Sequence, residues 1–595
     1  REPLPDEAWQ IANITLGDSK GYLYYLTGDP ELGEEFRRAW CAVIESGYEK
    51  TEQIVQAHLY SLNRLQSWLL VEHMDLFDAA ELLEITRFIY GWAQSEEGVQ
   101  HVLKGPRVQR VHNPRQNHEL IPALALAYAA DYFSTHFPAL PGPDHWLEAA
   151  ARAFEPYGAS WKPLCDGLCH GWFLSQPIML EYALRDPGHR YFKEGGARRA
   201  AECALAVVNN AGWMPTAGDG DLTRQFPGPS LRVAAAYFDD GRYRFAHDLA
   251  PPERRLAWLL TPPRAFDAGV GSRVPEDRVG VTVIPVDPLV YHVWERDAEQ
   301  APAVVTTPPT APLSQCFDKL ALRTGWERDD DYLLIDGLGG GSHSYDDAAG
   351  VLDYARLGLS LIVQEDSFVH SAPEHRSLVT IVRNGESGQI PGFAILEANE
   401  RDDEGNFYLR IRLRDYAGAD WVREIHLWPG CCVVFNDTVI ARTAGDFAIE
   451  VRFRTPARFE LQGREAQSWR RSPSVGEVMF RIESLCAAAQ LAIAEDPIYL
   501  RYKKESDRAL WRQRYLTEDV VLTALVARRA VYLEKGEAVR LTHLAQLCGP
   551  GEEQVHLVER AAAVCLSTDT KLQPLKILAA KRPTKRKPVS GRGES

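Results

Sequence analysis

Three observations predict an α+β multidomain protein, helical first and then built of antiparallel sheets. Through roughly the first 270 residues, apolar side chains recur at spacings of three and four. Beyond them, short alternating runs take over. A segment rich in Pro, Ala and Thr, DAEQAPAVVTTPPTAPL at 297–313, lies among the first of these runs and reads as a linker. The expected division is a helical domain at 1–275, an antiparallel β-sandwich at 276–470, a C-terminal β-rich region at 471–580 and a basic disordered tail at 581–595.

The helices follow from their apolar faces. Glu34–Glu45 carries Phe36, Trp40, Ala42, Val43 and Ile44. Thr51–His73 comes next, then Asp78–Gln94 with Asp78 as its N-cap. Glu119–Phe137 is dense in Ala and Leu, and Trp146–Phe154, Trp172–Leu184 and Ala197–Asn209 continue the series. No strict repeat is present, but the alternation predicts paired helices stacked in a ring or solenoid.

Strands are expected at Val281–Ile284, Leu289–Trp294, Leu320–Arg323, Tyr332–Ile335 and Leu361–Val363. They continue at Leu378–Val382, Phe407–Leu413, Val422–Leu427, Cys431–Phe435 and Ala448–Phe453. From about residue 475 onward β-rich runs return, with a helix as the alternative around Trp511–Tyr515.

Composition narrows the function. The 595 residues and 66.8 kDa leave room for several domains. With 45% hydrophobic and 25% charged residues, the chain is not mainly disordered, collagen-like or a disulfide scaffold. A net charge of −16 argues against a nucleic-acid partner and requires any polyanion to be held by a local basic patch. No run of about 18 apolar residues predicts a membrane span. The chain opens at Arg1 with no apolar segment behind a basic stretch. The expectation is a secreted or periplasmic protein whose leader is already removed, beside a start cut within a longer chain. Cys165, Cys169 and His170 form one C-x3-C-H without a second pair, a weak zinc signal.

Two segments concentrate chemistry. Between Glu97 and Glu119 acidic residues vanish, while Lys104, Arg107, Arg110 and Arg115 appear with His101, His112 and His118. This predicts a local anion site, with a solvated basic loop as the alternative. Asn117 and His118 open an apolar helix, where Asn can donate to a carboxylate and the helix N-terminus adds partial positive charge. The second segment runs from Gly337 to Ser377. Gly337, Gly339, Gly340 and Gly341 permit a tight bend. His343 and Tyr345 share a face if extended and can serve as base and acid, with Asp346 and Asp347 following. Glu365, Asp366, His370 and His375 are candidate metal ligands. A polar hairpin is the alternative.

Four stretches, in order, resemble a known family: RQNHELIPALALAYAADYF, NNAGWMPTAGDGD, LALRTGWERDDDYLLIDGLGGGSHSYDDAAG and PEHRSLVTIVRNG. Their order is similar to that of the heparinase II/III-like polysaccharide lyases. The resemblance implies an (α/α) toroid followed by a β-sandwich. It also implies β-elimination on a uronic-acid glycan, hence an acidic polysaccharide partner, with a homo-oligomer left open. By position, Asn117 would neutralise the uronate carboxylate, with His118 beside it. His343 would match the catalytic histidine and Asp347 the aspartate of that motif. The family's structural zinc implies Tyr345, Glu365 or Asp366, and His375 as the matching positions, although tyrosine is a poor zinc ligand. Where the family carries a catalytic tyrosine, this chain reads CDGLCHGWF, with Asp166, then His170 at the tyrosine position, then Trp172. His170 is then a substitute proton carrier or a buried structural histidine. Arg107, Arg110, Arg115, Asp166, Trp172 and Asp347 are the expected substrate contacts. Trp161, Trp213 and Tyr354 are stacking platforms or core residues. A glycoside hydrolase using Asp166, Asp346 and Asp347, and a non-catalytic glycan-binding protein, are the alternatives.

Overall fold

The computed structural model describes residues 20–46, 61–96, 98–104, 117–155, 175–185, 188, 190–215, 227–250, 269–292, 295, 309–339, 347–364, 376–496, 505–549, 554–560, 563–567 and 572–574. The helical region holds α1 (Lys20–Thr27), α2 (Pro30–Ser46), α3 (Ser61–Val71), α4 (Ala79–Gln94), α5 (Val99–Lys104) and α6 (Asn117–His136). It continues with α7 (Pro143–Phe154), α8 (Gln176–Arg185), α9 (Arg190–Lys193), α10 (Gly196–Val207), α11 (Gly228–Phe238) and α12 (Gly241–Leu249). Consecutive helices pack against each other, α1 on α2, α6 on α7 and α11 on α12.

The start of α4 shows why the sequence breaks there. The Asp78 carboxylate accepts from the N–H groups of Ala80 and Glu81 at 2.8 and 2.9 Å, and Glu81 accepts from the Asp78 N–H at 3.0 Å. This reciprocal cap satisfies donors that the first helical turn leaves open. Glu81 also receives Arg37 from α2, whose hydrogen bond holds its carboxyl below the usual range. Inside, Trp40 meets Trp68 and Phe88 edge-on at 6.0 and 5.9 Å, and Trp68 meets Phe77 at 5.5 Å. No described helix is long and apolar enough to cross a membrane.

The first sheet runs β1 (Gly280–Pro285), β2 (Phe317–Arg323), β3 (Tyr332–Asp336), β4 (Val351–Arg356) and β5 (Leu359–Val363), in that spatial order. Strands β2 to β5 are buried at every position. Their side chains divide between two cores. Ala321, Leu334 and Leu352 join the helical core, while Leu320, Leu333 and Val351 join the β core. The sheet is therefore a middle layer, and its burial on both faces explains why β4, with its polar Asp353 and Arg356, shows no alternation.

Further strands are β6 (Val379–Arg383), β7 (Glu386–Ser387), β8 (Ile395–Arg401), β9 (Phe407–Tyr416), β10 (Ala419–Trp428), β11 (Cys432–Ala441) and β12 (Gly445–Thr455). Then come β13 (Glu460–Gln462), β14 (Glu465–Ser472), β15 (Gly476–Ser484), β16 (Gln490–Glu495), β17 (Thr523–Leu533) and β18 (Ala538–Cys548). An eight-stranded antiparallel sheet has the order β13-β14-β15-β18-β11-β10-β9-β8, and a five-stranded one β16-β17-β12-β6-β7. Strands from either side of residue 470 thus share both sheets. The helix expected around Trp511–Tyr515 is present as α13 (Glu505–Tyr515).

One expected strand is a helical turn. Residues 288–292 are helical, in place of a strand at Leu289–Trp294. Asp287 decides this: its carboxylate accepts from Leu289 and Val290 N–H at 3.0 and 3.4 Å, and its carbonyl accepts from Tyr291 N–H at 3.0 Å. Pro288 occupies the first helical position, where no N–H is needed.

Charges are buried between the strands in matched sets. Lys319 lies between Asp318 and Asp336 at 2.7 and 2.9 Å. Burial opposes its ammonium, but the two carboxylates outweigh that and hold its pKa above the ordinary lysine value. Arg423 pairs with Asp437 at 2.8 Å, and the Trp421 indole donates to the same carboxylate at 2.8 Å. Arg452 and Arg454 share Asp496, each at 2.7 Å.

Candidate functional site

Helix α6 begins at Asn117, so Asn117 and His118 stand on its first turn. Its neighbour is α8, which opens immediately after the segment of Asp166, His170 and Trp172. Two contacts join the helices: the Tyr128 hydroxyl donates to Glu181, and Arg185 pairs with Asp131. The Arg185 guanidinium also lies 3.9 Å from the centre of the Tyr128 ring. Further buried polar contacts line this part of the helical region. Tyr22 donates to Gln66 at 2.8 Å, and Tyr191 donates to Gln176. Burial, and then the charge of Glu181, push the Tyr22 phenol well above its usual pKa. Sequence reasoning missed Glu181. Its signal was present, as a single carboxylate in the apolar stretch PIMLEYAL.

On the β side, Asp347, Gln364 and Arg376, which border the segments 340–346 and 365–375 outside the described residues, come together. The Asp347 carboxylate, 1% exposed, accepts from the Gln364 amide at 2.8 Å and faces the Arg376 guanidinium at 3.0 Å. Gln364 in turn accepts from the Ser377 N–H at 3.1 Å. The Ser377 hydroxyl donates to the Val363 carbonyl at 3.0 Å and accepts from the Arg454 N–H at 3.0 Å. Asp347 is therefore a brace that ties the start of β4 to Gln364 after β5 and to Arg376. Immediately after it, Ala349 sits at φ 61°, a conformation costly for a residue with a Cβ. It is held there by the Asp336 carbonyl, which accepts its N–H at 2.9 Å, and by Arg423, which donates to its carbonyl at 2.9 Å.

The glycines expected to give a bend act partly by close approach. A Cβ on Gly337 would lie 1.8 Å from the Phe317 carbonyl oxygen, and one on Gly339 would lie 2.2 Å from that of Pro391. The backbone thus crosses neighbouring strands at these points with no room for a side chain.

The motif NNAGWM joins the two regions. Asn209 donates to Asp353 on β4 at 2.8 Å, while its own oxygen accepts from Ala211 and Trp213 N–H, each at 3.0 Å. Asn210 donates to the Glu327 carbonyl at 3.0 Å and accepts from Arg323. Arg323 also donates to the Ala206 carbonyl at 3.2 Å, closing the end of α10, and lies 3.8 Å from the Trp326 ring centre. Burial lowers the Arg323 pKa to about 10. Beside this junction Arg514 of α13 lies 5.8 Å from the Trp213 ring centre, and Trp511 and Tyr515 pack with Val363 at the end of β5. Trp213 and Tyr354, read as stacking platforms or core, are both buried.

His170, Asp166 and Trp172 lie outside the described residues, as do His343, Tyr345 and Asp346. So do Trp161, Arg107, Arg110, Arg115, Asp366 and His375. For Asn117 and His118 the backbone is described and the side chains are not. Among the described residues no three His, Cys, Asp or Glu side chains group as a metal site.

No family model matches the sequence, and no curated protein matches it. Solved structures do. Heparinase III aligns with a TM-score of 0.61 at 11% identity, covering 95% of this chain and 82% of that one. A mutant of the heparan sulfate lyase HepC from Pedobacter heparinus aligns with a TM-score of 0.58 at 12% identity, covering 97% and 84%. At such identities the likeness speaks for the fold: a helical region followed by antiparallel sheets, arranged as in the heparinase II/III-like lyases.

Proposed function

We propose that this chain is a polysaccharide lyase that cleaves a uronic-acid-containing glycan by β-elimination. The supporting observation is the likeness, over nearly the whole chain, to structures named as heparinase III and heparan sulfate lyase. The order of the four sequence motifs supports the same reading.

The proton at C5 of a uronate is only weakly acidic. Neutralising the adjacent carboxylate lowers the cost of the carbanion-like state, and donors already in place do this best. In this reading Asn117, aided by Arg110 or Arg115, meets the carboxylate. Either His343 or His170 removes the proton, and the other, or Tyr345, protonates the leaving oxygen. A structural zinc held by Asp366 and His375 belongs to the same proposal, and none of these proton steps depends on it. Secretion or a periplasmic location fits a polymeric substrate. The hydrolase alternative is weakened at one position, because Asp347 is buried against Arg376 and Gln364.

The test is ultraviolet absorbance at the unsaturated-uronate band across a panel of acidic glycans. An absorbing product from at least one glycan is expected. Saturated products heavier by one water would overturn elimination in favour of hydrolysis. Replacing His170 with Ala should cost about 10²–10⁴-fold in rate if it carries a proton. Near-full activity at every pH would make that position structural.

A further inference from the structure

We propose that the cavity between α10 and β1 is a subsite for an anionic group carried on a saccharide; the saccharide part rests on the glycan reading above. The cavity has a volume of about 550 Å³. That is the size of sites that hold small ligands. None of the residues assigned to cleavage lines it. One wall is α10 and the residue before it, with Gly195, Arg198, Arg199 and Glu202. Asp277 and Arg278, from the turn Glu276–Arg278, form a second wall, and β1 is the floor.

The charge balance favours an anion. Both lining carboxylates are already met by arginine. Glu202 accepts from Arg278 at 2.6 Å, from Arg242 at 3.0 Å and from the Tyr243 hydroxyl at 2.7 Å. Asp277 faces Arg242 at 2.7 Å and Arg278 at 3.2 Å. Arg242 is outside the lining and is shared between both acids and Asp240, which it meets at 2.6 Å. The lining itself carries three arginines against its two carboxylates. Arg198 and Arg199 are exposed; the Arg198 guanidinium lies 4.1 Å from the centre of the Phe238 ring, and Arg199 donates to the Glu194 carbonyl at 3.3 Å. The first turn of α10 carries no acidic residue and no side-chain cap, so its N–H groups add to the positive field. Arginine forks match the paired oxygens of a carboxylate or a sulfate ester.

The floor argues for a sugar over a peptide. Among the described residues strand β1 is at the edge of its sheet and pairs with β2 alone, an arrangement open to a further strand. But the ladder is bulged between Ile284 and Pro285, and Pro285 has no N–H to offer. Val283, 37% exposed, and Pro285 instead give an apolar surface beside the arginines. An apolar face next to a charged wall suits a sugar ring with an anionic substituent.

The experiment is calorimetric titration of the full chain with a sulfated uronate disaccharide, its neutral carboxyl-reduced and desulfated counterpart, inorganic sulfate and an acidic hexapeptide. The sulfated disaccharide should bind, weaken with added salt, and exceed the affinity of the other three. Arg198→Glu/Arg199→Glu should remove one binding site or weaken it at least tenfold, with melting temperature and turnover of a short substrate unchanged. Binding unaffected by this charge reversal would overturn the subsite. Inorganic sulfate binding as well as the disaccharide would overturn the saccharide, and preferred binding of the peptide would overturn it in favour of strand pairing. The two readings fail separately. A failed lyase reading gives no unsaturated product while charge-sensitive binding persists; a failed subsite gives product while binding ignores the reversal.

Discussion

The helical region and the β region bury their polar groups in different ways. In the helical region the inward groups include tyrosines on amides or on a carboxylate, as in Tyr22 with Gln66 and Tyr128 with Glu181, beside buried charged side chains such as Arg64 and Glu119. In the β region they are full charges in matched sets, as in Arg423 with Asp437 and Lys319 between two aspartates. Hydrogen bonds to neutral partners can be exchanged for contacts with a ligand at modest cost. A buried charge cannot lose its partner without a large one. The difference separates roles. The paired charges of the β region fix Asp347, Gln364 and Arg376 beside one another, and the helical region offers groups that can be redirected.

The β region should break hardest. Replacing Arg423 with Leu strands the Asp437 carboxylate and frees the Ala349 carbonyl, at about 3–5 kcal/mol in urea unfolding. Replacing Asp437 with Leu as well should recover much of that. A double variant no more stable than the single one would mean that the pair is not a unit.

The second prediction uses pH. Burial depresses the His543 pKa from 6.5 to about 4; the Asp437 carboxylate opposes it, and Arg423 and Arg464 add smaller lowering effects. The folded chain therefore binds fewer protons at this site than the unfolded chain. The contribution is complete above pH 6.5 and is lost as the pH falls toward about 4, on the order of 3 kcal/mol in all. His543→Asn should flatten the difference in melting temperature across that window, and an unchanged slope would assign it elsewhere.

At the boundary between the regions, Asn209→Ala removes the donor to Asp353 and two turn contacts. About 1.5–3 kcal/mol is expected. Faster amide exchange should appear in β4 and the end of α10 together. Exchange confined to the helix would show that the junction does not couple them. The smallest effect belongs to the helical region. Asp78→Ala should cost about 1 kcal/mol, with amide exchange raised only in the first turn of α4. A cost equal to that at Arg423 would erase the contrast.

What was legible in the sequence follows the same division. Elements with one wet face announced themselves: α4 with its cap at Asp78, and β9 to β12 with their alternation. The middle layer was harder, since β4 is buried on both faces and carries an aspartate and an arginine whose partners lie far along the chain. Leu289–Trp294 read as a strand because Val, Tyr and Trp favour one, while a single carboxylate at Asp287 makes 288–292 a helical turn. The role of Asp347 was beyond reach for a related reason. Nothing in the sequence near the glycines announces that Arg376 and Gln364 lie beside this carboxylate.

The order of strands in the large sheet bears on how the chain is made. Strand β18 lies between β11 and β15, both of which precede it in the chain. A ribosome therefore delivers two strands with open inner edges before the one that joins them. Until then the sheet is in two halves, and each half presents a template for pairing with another nascent chain. Closure depends on contacts distant in sequence and is slow for that reason. The late strand is thus the one that removes both open edges at once.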